Sequence, residues 1–100
     1  MLNSKQRSQL RGMANGLDVI VHVGKNGVTE NITRQTGDAL TARELIKCRV
    51  LDSALMSADE AAAALADAVG ADVVLTIGSR FVLYRESLAI DKDKRIKLVK

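Results

Sequence analysis

The residues best suited to chemistry form a four-residue loop, Gly24-Lys25-Asn26-Gly27, between a β-branched run and a segment with helix signals. Glycine allows the backbone to turn sharply and to approach another molecule closely, because no Cβ stands in the way. A helix that begins after the loop presents unpaired N–H groups and about half a positive charge at its first turn. Lys25 adds a full cation. This combination favours the binding of a phosphate group.

Catalytic chemistry finds little support in the residue types. His22 is the only histidine and Cys48 the only cysteine, so a metal site would need carboxylates to complete its ligand set. A Cys–His nucleophile pair across neighbouring strands is conceivable. However, Cys48 alternates in phase with Ile46 and Val50, which favours a packed thiol. No Walker-type glycine-lysine-serine motif is present. We therefore expect no enzymatic activity, no metal and no cofactor.

Positive charge is unevenly distributed along the chain. Residues 1–55 carry eight Lys and Arg against five Asp and Glu, residues 56–90 carry two against five, and residues 91–100 carry five against two. This asymmetry favours a polyanionic partner that meets the half of the chain containing the glycine loop. The basic residues of this half include Lys5, Arg7 and Arg11 in the first helix and Lys47 and Arg49 in the second strand. The two strand residues are expected to extend a phosphate-binding track if the open face of the sheet is shared with the ligand.

Apolar periodicity and turn formers predict three helices and four strands. The predicted elements are a helix from Asn3 or Ser4 to a left-handed Gly16, a strand over 19–23, a helix from the cap Thr29 to about residue 42, a strand over 45–51, a helix from the capping box Ser57–Glu60 to Gly70, and a hairpin of strands 72–77 and 80–85. Strand–helix–strand units pair in parallel, and the hairpin adds an antiparallel strand. The expected fold is α/β, a two-layer sandwich with the order α-β-α-β-α-β-β and a four-stranded mixed sheet.

The alternation within the first two strands assigns their faces. The three valines of Val19–Val23 point to one side, and Ile20 and His22 to the other. In the second strand, Lys47 and Arg49 lie opposite a purely apolar face. If helices cover only one side of the sheet, these two cations remain on its open face.

Length and composition describe a single small domain of 100 residues. We expect residues 1–86 to form it and residues 87–100 to be a basic tail or an extra strand. The lone cysteine fits a reducing compartment. No run is apolar enough to form a signal segment or a membrane span. We therefore expect a cytoplasmic protein without a membrane partner, and a monomer.

Four segments occur in the order and spacing of one known family. They are residues 4–11, the Gly24–Gly27 loop with Thr29-Glu30, residues 42–47 and residues 81–85. With these motifs the chain resembles the CRM (CRS1-YhbY) RNA-binding domain, and most closely the stand-alone bacterial form of that family. The resemblance covers residues 2–86. It implies a fold like the C-terminal domain of translation initiation factor three, RNA binding without catalysis, and association with rRNA in precursors of the large ribosomal subunit; DNA is not implied as a partner.

The resemblance also assigns residue roles. Gly24, Lys25, Asn26 and Gly27 match the RNA-contacting loop of the family, and Lys5, Arg7 and Arg11 match basic positions of its first helix. Two departures stand out. Val19 replaces a usual proline and Ser79 replaces a frequent lysine in the last hairpin turn, which removes one cation from that turn.

Two alternative functions are compatible with the same residues. The glycine loop could hold a free nucleotide or a phosphorylated metabolite, which predicts a concave pocket with polar groups beside the loop. The open face of the sheet could instead dock another protein, which predicts apolar residues there. Lys47 and Arg49 disfavour this second alternative.

Overall fold

The computed structural model describes residues 2–100. Its elements are α1 (Ser4–Ala14), β1 (Val19–Val23), α2 (Glu30–Arg43), β2 (Leu45–Val50), α3 (Ala58–Val69), β3 (Asp72–Ile77), β4 (Arg80–Tyr84) and a 3₁₀ turn (Lys92–Lys94). The sheet has the order β1-β2-β4-β3, with β1 and β2 parallel and the other neighbours antiparallel. The predicted α/β class, element order and four-stranded mixed sheet are confirmed.

The main core lies between the sheet and the pair α2 and α3. It contains the alternate residues of β2 and β4, such as Ile46 and Phe81, and the small face of α3 around Leu65. Cys48 belongs to this core and is 0% exposed, and burial raises the pKa of its thiol to about 12. The thiol therefore packs as a small apolar group, as the strand alternation predicted.

Helix α1 covers part of the opposite face of the sheet. Its buried residues Leu10 and Ala14 join Leu45, Val82 and Tyr84 in a second apolar cluster. Helices thus contact both faces, but α1 leaves the half of this face nearest the glycine loop uncovered. The pKa of the Tyr84 phenol is raised by burial and by the nearby carboxylates of Glu44, Glu86 and Asp72.

The first strand departs from simple alternation. Val19 is in register with Lys47, whereas Val21 is in register with Cys48, so one extra residue of β1 bulges between them. The prediction that Val19, Val21 and Val23 share one face is therefore wrong for Val19, which is only partly buried, while the other two are fully buried.

The helix caps follow the sequence closely, with one exception. Asn3 Oδ1 accepts from the Gln6 amide at 2.8 Å, Ser57 Oγ accepts from the Glu60 amide at 3.1 Å, and Gly70 ends α3 with φ +68°. Each bond satisfies an amide or carbonyl that the helix leaves unpaired. The prediction for Gly16 is wrong, because α1 ends at Ala14 with Asn15 as a right-handed C-cap, and Gly16 has no positive φ.

Residues 87–100 are bound to the domain without pairing to its sheet. Gln6 Nε2 donates to the Val99 carbonyl at 2.9 Å, and Gln9 exchanges two bonds of 2.8 Å with Lys97 and Val99. The side chains of Ile96 and Leu98 pack on the second apolar cluster. The sequence predicted either a basic tail or an extra strand for this C-terminal segment. In the structure it is not a strand of the sheet, and it lies along α1.

Glu44 and Arg85, both in the motifs that carry the family resemblance, have structural roles. Glu44 is 1% exposed, and its carboxylate accepts from the Ser87 and Ile96 amides, each at 2.8 Å. Arg85 donates to the carbonyls of Gly37 and Val69 at 2.9 and 2.8 Å, in the middle of α2 and at the end of α3. These two residues therefore join separate elements of the fold.

Candidate nucleic-acid interface

Three connections meet at one end of the sheet, where β1 and β2 end and β4 begins. The glycine loop follows β1, the segment 51–56 follows β2, and the Gly78-Ser79 turn precedes β4. Backbone hydrogen bonds hold them together, because the Leu51 amide donates to Val23 at 2.8 Å and the Val50 amide donates to Ser79 at 2.7 Å. The loop and the hairpin turn therefore lie on either side of the end of β2, although the two are distant in sequence.

The glycine loop is a tight turn. The Gly27 amide donates to the Gly24 carbonyl at 2.9 Å, and the Thr29 amide donates to the Gly27 carbonyl at 3.1 Å. The amides of Lys25 and Asn26 have no acceptor within residues 2–100. Part of the amide set of the loop is thus used internally, and the two amides at its tip remain available to an external anion.

The start of α2 is less suited to an anion than the sequence indicated. Thr29 caps the helix, with its Oγ1 accepting from the Ile32 amide at 3.2 Å. Glu30 occupies the first turn and is exposed. Its carboxylate already complements the positive end of the helix and would repel a phosphate placed there. We therefore assign anion contact to the loop tip rather than to the helix end.

A row of cationic and imidazole side chains crosses the uncovered half of the sheet. His22 is in register with Arg49 and Arg49 with Arg80, so all three lie on the face that also carries α1. Adjacent strands are ~4.8 Å apart, so the row spans about 10 Å from β1 to β4. It lies next to the edge from which the loop emerges.

Of the predicted cations, Arg49 lies in this row, and Arg11 and Lys47 lie in a groove next to it. Arg11, on the last turns of α1, and Lys47 line a groove together with Arg80. Lys5 and Arg7 are exposed on the first turns of the same helix, which places Lys5 about 9 Å from Arg11 along its axis. They extend the basic surface away from the loop rather than joining the row.

These cations are not neutralised by the protein itself. Within residues 2–100, the only ion pair closer than 4.0 Å joins Lys94 and Asp91, in the C-terminal segment. Arg85 and Arg95 donate to backbone carbonyls. The guanidinium groups of Arg7, Arg11, Arg49 and Arg80 make no hydrogen bond to any described residue, and the Nε of Arg49 is buried without a partner among them. Unpaired positive charge therefore accumulates where the loop tip offers free amides.

Arg80 was not among the predicted site residues, and His22, although its face of the strand was predicted, was not expected beside Arg49. Arg80 belongs to none of the motifs identified in the sequence. It directly follows Ser79, which stands where the family often has a lysine. The predicted hairpin could have indicated Arg80, because the first residue after the turn must lie at the end of its strand. No group of three His, Cys, Asp or Glu side chains that could hold a metal occurs within the described residues.

Exchange of Gly27 for alanine is expected to destabilise the fold, and the same exchange at Gly24 is not. Gly27 has φ +68°, which costs a residue with a Cβ about 1 kcal/mol. Gly24 has no such backbone, and its added Cβ would make ordinary contacts with Leu51 and Ser53 at 3.8 and 4.0 Å. Thermal unfolding of both variants measures the difference. Equal losses would contradict this account of the turn.

Known proteins with similar sequences include named RNA-binding proteins. The CRS1/YhbY (CRM) domain model matches residues 2–85. The chain is 42% identical over 98 residues to the Bacillus subtilis protein named "Probable RNA-binding protein YqeI", covering 98% of this chain and 99% of that one. It is 36% identical over 86 residues to a Haemophilus influenzae protein named "RNA-binding protein", covering 86% and 87% of the two chains.

A solved structure shows the same fold. The solution structure of a Staphylococcus aureus protein superimposes with a TM-score of 0.81 at 40% sequence identity, over 99% of this chain and 100% of that one. None of the described helices has the length and apolarity needed to span a membrane. Given the family match over most of its length, the chain belongs to the CRS1/YhbY (CRM) domain family.

Proposed function

We propose that this protein binds the sugar–phosphate backbone of structured RNA, and that its target is rRNA in precursors of the large ribosomal subunit in the cytoplasm. The single observation that carries RNA binding is the unneutralised cationic surface beside the free amides of Lys25 and Asn26. A polyphosphate supplies the missing negative charge along such a surface. The names of the B. subtilis and H. influenzae relatives support RNA binding as such.

Backbone contact, rather than base stacking on aromatic rings, is the favoured mode. The chain has two aromatic residues, Phe81 and Tyr84, and these are 0% and 5% exposed. Neither can offer a stacking platform of the kind found in sheet-based RNA-binding modules. Phosphate contacts fix position without reading sequence, so recognition depends on the shape of the RNA.

The salt dependence of binding tests this proposal. Four to six neutralised phosphates give a slope of roughly −3 to −5 in log K against log salt. Calorimetry with a structured rRNA fragment, ATP and GTP separates RNA binding from the alternative of a small phosphate ligand. Tight binding of a free nucleotide with no RNA binding would support the alternative. A small phosphate ligand would also need a pocket beside the loop. The cavity in this region, about 320 Å³, is lined by Leu51, Asp52 and Met56 among others, and no residue of the loop lines it.

Exchange of Lys25 and Arg7 together for alanine is expected to weaken RNA binding several-fold at low salt, because two phosphate contacts are lost. Filter binding or fluorescence anisotropy with an rRNA fragment measures the change. Gly24→Ala is a useful companion, since its fold is expected to be unchanged and only a closely approaching ligand would meet the new methyl group. Parental affinity in both variants would refute the loop as the contact site.

A further inference from the structure

We propose that the groove between α1 and the sheet holds one unstacked nucleotide of the bound RNA, with its base on an apolar floor and its phosphate on a cationic rim. This proposal rests on the RNA binding proposed above and adds a site for a base to it. The groove encloses about 280 Å³. That volume is just below the ~300–1,000 Å³ of pockets for small ligands, so it suits a single nucleotide rather than a larger ligand.

The rim of the groove carries three positive charges and no negative one. Arg11, Lys47 and Arg80 line it from three different elements, and no Asp or Glu side chain lines it. None of the three cations has a carboxylate within 4.0 Å among residues 2–100. Three like charges around one opening repel one another, so an anionic occupant relieves that repulsion.

The floor of the groove is apolar, which a phosphate alone does not require. Leu75 and Ile77 line it from β3, and Ile77 is 68% exposed. A large exposed side chain at this place, in register with Arg80 across the hairpin, gives a flat base an apolar surface beside a guanidinium plane. Arginine stacks readily on bases. The combination therefore fits a nucleotide better than an inorganic anion or an acidic peptide segment, which lacks a planar apolar part.

The groove is continuous with the phosphate-binding surface. Arg80 belongs both to the rim of the groove and to the row with Arg49 and His22, and that row ends beside the glycine loop. An RNA backbone on the loop can thus follow the row to the groove. Because paired bases cannot leave their helix without cost, the site favours RNA with a bulged or looped nucleotide over a continuous duplex.

The experiment compares two RNA hairpins of equal length, one with a single-nucleotide bulge of 2-aminopurine and one fully paired. The parent protein is expected to bind the bulged RNA more tightly, to increase its fluorescence as the base leaves the stack, and to shield it from acrylamide. Ile77→Ala is expected to reduce the preference for the bulge about fivefold, because part of the apolar floor is lost, while affinity for the paired RNA stays unchanged.

Leu88→Ala is the matched control, since Leu88 is 79% exposed and lies beyond the other end of β4. It is expected to leave both affinities unchanged. Arg80→Gln provides a second test if Ile77→Ala does not fold, and it should weaken binding of both RNAs while abolishing the shielding from acrylamide.

The outcomes separate this proposal from the proposed function. Failure to bind either RNA would overturn both. Binding of both RNAs with equal affinity and no fluorescence change would overturn the groove alone and leave backbone binding in place.

Discussion

Exchange of Arg11, Lys25 and Arg80 for glutamine in one variant is expected to lower the affinity for structured RNA about 100-fold at ~0.1 M salt. Each neutralised phosphate releases condensed counterions, and removal of the cation removes that release. The three side chains are exposed and make no ion pair or hydrogen bond with other described residues. The fold should therefore be unaffected, so the loss reports on binding alone.

The same variant should have a flatter salt dependence. Loss of three phosphate contacts reduces the slope of log K against log salt by about 2.7, so a 100-fold difference at ~0.1 M salt should vanish near ~0.5 M salt, where screening is strong. Fluorescence anisotropy at several salt concentrations measures both quantities. A reduced affinity with an unchanged slope would mean that the three side chains contact something other than phosphate.

A variant with an equal change of charge elsewhere provides the control. Arg43, Lys92 and Lys94 lie on the elements at the opposite end of the sheet, and their exchange for glutamine also lowers the formal net charge of +3 by three. If position matters, this control keeps most of the affinity. If both variants lose affinity equally, net charge rather than the proposed surface governs binding, and the site assignment is wrong.

The parts of this surface that depend on local chemistry could be predicted from the sequence. The turn formed by Gly24–Gly27 and the cap at Thr29 follow from residue types within a few positions of each other. The basic face of α1 follows from helical periodicity. Such features require no knowledge of which strands become neighbours, and the described elements match the predicted ones to within a few residues.

The cationic row could not be predicted, because it depends on strand order. Strand β4 inserts between β2 and β3, which places Arg80 next to Arg49, and no local signal specifies that insertion. The bulge in β1 is a second example. It places Val19 in register with Lys47. An extra residue in a strand reverses the face of the sheet to which the side chains before it point.

Glu44 shows the same limit for the fold. A left-handed residue was expected at Gly16, where glycine adopts it easily, and none occurs there. The end of α2 instead has a positive φ at a residue other than glycine, Glu44, with φ 66°. A residue other than glycine in such a conformation is strained by about 1–3 kcal/mol and persists only where its surroundings require it. Here the requirement comes from contacts of its side chain with residues about 40 to 50 positions later in the chain.

Exchange of Glu44 for alanine is accordingly expected to destabilise the protein by about 3 kcal/mol, because two backbone amides lose a charged acceptor. For a domain of this size that corresponds to a fall of roughly 15 °C in Tm. The amides of Ser87 and Ile96, each 2.8 Å from a carboxylate oxygen, would be left unpaired in a largely buried site. Thermal unfolding measures the global effect.

Two further exchanges at this position divide the effect into its parts. Glu44→Gln keeps one acceptor oxygen but turns an amide donor toward a backbone N–H, so an intermediate loss is expected. Glu44→Gly loses the carboxylate but relieves the positive φ, so it should be more stable than Glu44→Ala by about 1 kcal/mol. If alanine and glycine are equally destabilising, the backbone strain assigned to Glu44 is absent.

A local measurement shows whether Glu44 acts by anchoring the C-terminal segment. Because Ile96 and Leu98 complete the apolar cluster beneath α1, loss of the carboxylate should increase hydrogen exchange at Ser87 and Ile96 and expose the bond after Arg95 to trypsin at temperatures below the global transition. The same protection in Glu44→Ala as in the parent would contradict the anchoring role. Release of the segment would also remove the two bonds of Gln9 to it, so the helix that carries Arg7 and Arg11 would loosen with it.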